Sequence, residues 1–364
     1  MGIVIYHHDP VEVDPKTSWT GLCPSLAGAS YVDITKCREK QIVECFAYAR
    51  PDAVISVDGK VVVSIEQTQM NPSGHNIPQR FSCLVRAAEL GIPSILYYPA
   101  YSRRTFSDPN VRYLQVRVPL AQKRMSQIYG VPSLSVFWPT NSKTKLPATD
   151  QPAHRPMATV IESLVVNAVN HGNLLKLVEV RAALQTMDEM IKRFAARYKQ
   201  NSSVRKLLRD GFPGASANGL TVDPPSGVVL YQTADFVRSL PKMMSTDQGR
   251  AVASRLNRRN LTLVYTGTAN KMGNDSEHPW PGYLTLFDML YVRTDTGRKA
   301  TERLHNLVYR LPVPVQTFVA RANQSNPPTA TYIVDSFADL VILNGGAVPG
   351  RPGRGDAVAY SIPC

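Results

Sequence analysis

The stretch Pro51-Asp-Ala-Val-Ile-Ser-Val-Asp-Gly-Lys-Val-Val-Val-Ser-Ile-Glu-Gln-Thr68 decides how this chain is read. It predicts two β-rich runs, Ala53–Val57 and Val61–Thr68, separated by Asp58-Gly59. The odd positions Ala53, Ile55, Val57, Val61, Val63 and Ile65 are all apolar. The even positions Asp52, Ser56, Lys60, Ser64, Glu66 and Thr68 are polar, with Val54 and Val62 as exceptions. Side chains alternate faces along a strand, so the odd set is expected to form one buried surface. A two-residue loop would pair Val57 with Lys60 and set odd against even. A three-residue loop, with Gly59 left-handed in a bulge, pairs Ser56 with Lys60 and unites the odd residues. That register places Asp52 opposite Ser64 and diagonal to Glu66, roughly 7–8 Å away, within reach of one shared ion.

Outward from the hairpin, Thr35 to Tyr48 has helical periodicity through Ile42, Cys45, Phe46 and Ala49, and Pro51 ends it. After the hairpin a polar loop, 71–76, leads to an expected helix from Pro78 to Leu90, with Gly91 just beyond its end. A short apolar strand, Ser94–Tyr98, follows. The predicted order is helix, hairpin, helix, strand.

Two carboxylates on one strand pair suit a hard divalent cation, which takes oxygen ligands and commonly keeps waters and a substrate phosphate. Such an ion acidifies a water nucleophile and stabilises charge on a phosphodiester. The carbonyl of Gln67 offers a further oxygen.

Pro51-Asp52, thirteen residues and Glu66-Gln67-Thr68 together resemble the PD-(D/E)XK signature of restriction endonucleases and related nucleases. The resemblance covers under a fifth of the chain, and the first strand of the family's three-stranded meander is not evident. It implies a restriction-endonuclease-like α/β core, a mixed sheet flanked by helices. It also implies Mg²⁺, or Mn²⁺, held by Asp52, Glu66 and the Gln67 carbonyl. Some members add a Glu from the preceding helix, a place that Glu44 or Glu39 takes here. Others carry a Gln in the following helix, where Gln79 stands. Thr68 holds the position usually given to Lys, a departure in which either its hydroxyl positions a water or another cation replaces the lysine. Lys60, His75 and Arg80 are the candidates, and Arg80 opens the next helix close to the site. The implied activity is metal-dependent hydrolysis of DNA, of the type II restriction kind. The alternatives are a non-catalytic nucleic-acid-binding protein of the same fold and an oligomerising structural protein.

At 364 residues the chain suggests two domains. A nuclease domain is expected over 1–140, a Pro-rich linker over 141–157, and a basic α+β domain for DNA recognition over 158–364. Lys and Arg number 41 against 28 Asp and Glu, a formal +13 that favours a polyanionic partner such as double-stranded DNA. Roughly +4 lies in 1–150 and roughly +9 beyond it, so phosphate contacts are expected in the second half. Arg205, Lys206, Arg258, Arg259, Arg293, Arg298 and Lys299 are the candidates. Leu177, Val180, Leu184, Met187, Ile191, Phe194 and Tyr198 form an apolar stripe. That stripe is expected to face a core rather than a dimer seam, although a homodimer stays open. Further strands are expected at 112–118, 227–231, 261–266, 284–293 and 331–343, and a helix at 298–309.

Five cysteines without a C-x-x-C pair argue against a disulfide framework or a zinc site. No signal peptide is evident, and no apolar run is long enough to span a bilayer. A reducing cytoplasm and no membrane are therefore expected. His7-His8-Asp9 reads as a surface turn, because adjacent histidines point to opposite faces of a strand.

Overall fold

A computed structural model describes residues 2–46, 48–70, 76–168, 172–195, 218–223, 227–239, 259–267, 305–323 and 337–350. Isolated positions 253, 254, 256, 331 and 334 are described as well. Side chains are described within those ranges except at 76–79 and at 223. The chain is an α/β protein with two mixed six-stranded sheets and, among the described residues, seven helices. It divides into a first unit, 1–199, and a second, 200–364.

The first sheet joins β1 (Ile3–His7), β2 (Ser30–Asp33), β3 (Ala53–Val57), β4 (Lys60–Gln67), β5 (Ser94–Pro99) and β8 (Ser133–Trp138). Their spatial order is β2-β1-β3-β4-β5-β8. β1, β3 and β4 are antiparallel neighbours, whereas β5 and β8 run parallel to β4. The helix, hairpin, helix, strand order is present as α1 (Lys40–Cys45), β3–β4, α2 (Asn76–Glu89) and β5. Strand β1, which the sequence reading does not mark, pairs antiparallel with β3. Its alternation is masked because it is buried on both faces, Ile5 in one core and Tyr6 in the other.

The hairpin takes the two-residue loop, contrary to expectation. Asp58 and Gly59 both have positive φ, 48° and 78°, as a type I′ turn demands, and Val57 pairs with Lys60. The mismatch of odd against even is corrected further along: Ser56 pairs with Val61 but Ile55 with Val63, so Val62 is an inserted bulge residue. Beyond it Ala53, Ile55, Val63 and Ile65 share one core. The two exceptions to the alternation thus have causes, since Val54 with Val61 faces the second core and Val62 is the bulge. The site register also moves by two residues. Ala53 pairs with Ile65, so Asp52 comes next to Glu66 rather than Ser64.

Helix α2 ends at Gly91, whose φ of 73° lets the Gly91 and Ile92 amides close on the carbonyls of Ala88 and Ala87. The strand expected at 112–118 is reduced to Arg112–Tyr113 (β7), which pairs with Tyr101–Ser102 (β6). Helix α3 (Arg117–Tyr129) then begins. Pro119 sits in its first turn, where a missing N–H costs nothing, so the proline marks a helix start.

The expected linker is not one. The segment 141–157 closes a small hairpin at Thr140–Pro147 and runs into α4 (Arg155–Val166). Met157, Ala158, Val160, Ile161, Leu164 and Val165 of α4 bury themselves against Ile5, Ile55, Ile95 and Leu134 of the first sheet. Helix α5 (Val178–Phe194) adds Val180 and Met187, with Leu177 and Leu184 at the margin, so the apolar stripe faces this core. The first unit therefore extends to 199 because the sheet's second face needs α4 and α5 to cover it.

The second sheet has the order β14-β13-β12-β11-β10-β9, from Leu220–Asp223 (β9), Val228–Gln232 (β10), Leu261–Thr266 (β11), His305–Pro314 (β12), Leu340–Asn344 (β13) and Gly346–Pro349 (β14). β11, β12 and β13 are parallel, which makes this unit α/β rather than the α+β arrangement expected. His305–Tyr309 is strand, not the end of a helix, since strand β12 is buried on both faces over Leu307, Val308 and Tyr309. Positions 331, 334 and 337 are helical, and strand begins only at Leu340. The expected strand at 284–293 lies outside the described residues.

Candidate functional site

Asp52 and Glu66 are each one residue from a pair, Ala53 and Ile65, whose side chains enter the core under α4 and α5. Both acids therefore project to the opposite face, toward α2. Glu66 is buried, and its Oε2 lies 3.6 Å from the Cys83 thiol of α2. Arg80, also from α2, donates through Nη1 to Glu66 Oε1 at 2.6 Å and to the Gln67 carbonyl at 3.1 Å. Asp52 is oriented by the backbone: its Oδ2 accepts from the Gln67 N–H at 2.7 Å. Its own carbonyl accepts from the His8 amide at 2.9 Å, which ties the end of β1 to the site.

Burial governs the electrostatics. It raises the proton affinity of Glu66 well above the usual carboxylate range, and the neighbouring Asp52 charge adds to this while Arg80 opposes it. Asp52 is raised by burial too, against the Gln67 N–H, Arg80 and His8. Burial pushes the Cys83 thiol up, with Glu66 and Asp52 contributing. That thiol is consequently no nucleophile near neutral pH.

Glu12, absent from the residues singled out in the sequence, belongs to this cluster. It sits in the single turn Pro10–Val13, where Asp9 caps the Val11 amide. The Gln67 side chain donates to its carbonyl at 3.3 Å and accepts from Trp19 Nε1 at 3.2 Å. Burial, then the Asp52 charge, lifts the Glu12 carboxyl to about 7. Neither periodicity nor spacing relates position 12 to positions 52 and 66; β1 brings it there by pairing with β3.

The remaining expectations divide. The Thr68 hydroxyl accepts from the Met70 amide at 3.1 Å, which ties it to the turn after β4. Glu44 does not join the acids: its carbonyl accepts from Arg86, and Glu39 is turned to the Tyr6 hydroxyl. Helix α1 packs over Tyr6, Val54 and Val61, on the sheet face to which the acids also project, and among the described residues neither glutamate is bonded to Asp52 or Glu66. Gln79 is in α2, but its side chain, like all of His75, lies outside the described residues. Lys60 is exposed at the hairpin's far end.

Among the nucleic-acid candidates, Arg205, Lys206, Arg258, Arg293, Arg298 and Lys299 also lie outside the described residues. Arg259 is a strut instead of a phosphate contact. It bonds Asp339 at 2.9 Å, and Asp339 accepts from the Leu307 amide, fastening the 259 turn to β12. Beside it the buried Asn306 donates to the Leu256 carbonyl at 2.6 Å and to Thr262 Oγ1 at 3.1 Å. A partly buried arginine with a carboxylate partner has little left for a ligand.

No family model, no curated protein and no solved structure matches this chain. The chemistry therefore rests on the geometry alone. Two carboxylates and a backbone carbonyl form a set of hard oxygen donors, as Mg²⁺ or Mn²⁺ requires. Among the described residues no group of three or more His, Cys, Asp or Glu side chains forms a metal cage. The fit is thus to an ion that keeps waters and substrate oxygens, and Arg80 already supplies positive charge to two of the three oxygens. Also among the described residues, no helix is long and apolar enough to cross a membrane.

Proposed function

We propose that this protein hydrolyses phosphodiester bonds in double-stranded DNA, with Asp52, Glu66 and the Gln67 carbonyl as the oxygen site for Mg²⁺ or Mn²⁺. The observation that carries the reading is the placement of both acids on one sheet face, opposite each other and sharing Arg80. A divalent cation bound there would acidify a water and stabilise charge developing on the phosphate. The chain's own residues prepare the place. The Gln67 N–H fixes the Asp52 carboxylate, and Arg80 opposes the rise in proton affinity that burial imposes on Glu66. Arg80 also brings the permanent positive charge that Thr68 cannot, in a planar group suited to phosphate oxygens. The PD-(D/E)XK resemblance supports the same residues, and so does the strand, helix, strand path from β4 through α2 to β5.

A second reading, a nucleic-acid-binding protein that does not cut, is favoured by one observation. Arg80 bonds the oxygens that an ion would need. Incubation of supercoiled plasmid with the protein and Mg²⁺ or Mn²⁺, beside Asp52→Asn and Glu66→Gln, separates the two. Nicking or linearisation by the parent, lost in both variants, is expected. Equal cleavage by the variants, or none by the parent with either metal, overturns the catalytic reading.

A further inference from the structure

Between residues 100 and 149 the chain holds eight Lys and Arg but a single acid, Asp108. The fold gathers most of these charges at one place. β6 and β7 make a hairpin, with Tyr101 opposite Tyr113 and Ser102 opposite Arg112. Its tip, 103–111, is shaped by its own turns: Asp108 donates its amide to the Thr105 carbonyl, and its carboxylate accepts from the Asn110 amide. The small 140–147 hairpin is bonded alongside, through the Arg103 amide to the Lys145 carbonyl and the Thr140 hydroxyl to the Tyr101 carbonyl. Lys145 Nζ and the Arg193 guanidinium lie 5.9 and 5.8 Å from the centre of the Tyr101 ring.

The result is an array of Arg103, Arg104, Arg112, Lys143, Lys145 and Arg193. None of the six is in a salt bridge among the described residues. The aromatic side chain at the tip, Phe106, is 73% exposed. Cations with no salt-bridge partner among the described residues are available to a polyanion, whose counterions they displace. The location matters equally. β6 starts just after β5 ends at Pro99, and β5 pairs its Leu96 and Tyr97 with Glu66 and Gln67. The hairpin therefore follows from the sheet end that carries Asp52 and Glu66, on the strand next to β4.

We infer that the 101–113 hairpin is a DNA-binding element that enters a groove of the duplex. In this arrangement Arg104 and Arg112 meet phosphates, and Phe106 packs on sugar or base edges. A two-stranded ribbon matches the width of the major groove. The inference that this grip serves cleavage rests on the function proposed above; the binding itself does not.

The test is fluorescence anisotropy with a short labelled duplex in EDTA, across a series of salt concentrations. The proteins are the full chain, Arg104→Ala/Arg112→Ala, Phe106→Ala, and, as the control, Lys40→Ala at an exposed position of α1. The double variant is expected to bind roughly tenfold or more weakly, with the slope of log affinity against log salt reduced by about two. Phe106→Ala is expected to weaken binding with the slope unchanged, and Lys40→Ala to bind like the parent. Unchanged binding by the hairpin variants, an equal loss in Lys40→Ala, or tighter binding of the corresponding single strand overturns the inference. The two proposals fail separately. A parent that grips duplex through the hairpin but cuts nothing with Mg²⁺ or Mn²⁺ sinks only the catalytic reading. Cleavage by a protein whose affinity ignores the hairpin sinks only this one.

Discussion

Replacing Arg80 by Ala removes the ion-pair partner of Glu66, a carboxylate that is 6% exposed. Breaking a buried ion pair on one side costs about 3–5 kcal/mol, because the other charge is left without compensation. Arg80 is 29% exposed in its side chain, so water takes over part of its role, and we expect a loss of about 2–3 kcal/mol. For a unit of this size, that corresponds to a fall in melting temperature of about 5–10 °C. Trp19 and Trp138 are both buried in the first unit, so tryptophan fluorescence reports its unfolding.

The pH dependence makes the prediction sharper. Glu66 has a folded-state pKa above its unfolded value, through burial and the Asp52 charge, and loss of Arg80 raises it further. Over the interval between the two values the native state holds a proton that the unfolded state has released. Stability therefore declines as pH rises through that interval. The Arg80→Ala deficit is expected to be small at about pH 4, where Glu66 is protonated in both states, and to grow toward neutrality. Adding Glu66→Gln to Arg80→Ala removes the buried charge and recovers most of the loss. An equal deficit at low and neutral pH, or none at all, would refute the reasoning that Arg80 serves to compensate Glu66.

Mn²⁺ is expected to raise the melting temperature of Arg80→Ala more than that of the parent, since the ion and the guanidinium compete for the same oxygens; equal shifts count against a shared site. Glu12→Gln is expected to leave stability unchanged below about pH 4.5 and to increase it above pH 7, because the Glu12 carboxyl is lifted to about 7 by burial and then by Asp52. Urea titrations at the two extremes check this. Gly59→Ala is expected to cost about 1 kcal/mol from backbone strain alone, as φ is 78° and an added Cβ meets nothing within 4 Å. Asn306→Ala strips the Leu256 carbonyl of its 2.6 Å donor and is expected to cost about 1–3 kcal/mol, seen as earlier unfolding of the second unit by hydrogen exchange.

Much of the site was legible because it is local. Alternation across Ala53–Ile65, the Asp58-Gly59 dipeptide and the helix signals at Pro78 and Gly91 are read over a few residues, and each depends on backbone preferences that act at short range. They placed Asp52, Glu66 and Arg80 together. The details that failed were those where two local rules compete. The turn chemistry of Asp58-Gly59 prevailed over hydrophobic phase, and the bulge at Val62 reconciled them. The strand expected at 112–118 gives way at Arg117 to a helix whose first turn holds Pro119.

By itself, then, the sequence determined an α/β hairpin-and-helix core, its apolar and polar faces, and the pair of acids at its end. Only the tertiary structure decided the rest. It brought β1 beside β3, delivered Glu12 and His8 to Asp52, wrapped α4 and α5 over the sheet, and turned Arg259 into a strut. It also brought Lys145 and Arg193 to the Tyr101 ring. These are pairings between residues tens of positions apart, fixed by which exposed faces must be covered. That requirement belongs to the whole assembly of strands and helices, and no window of the chain contains it.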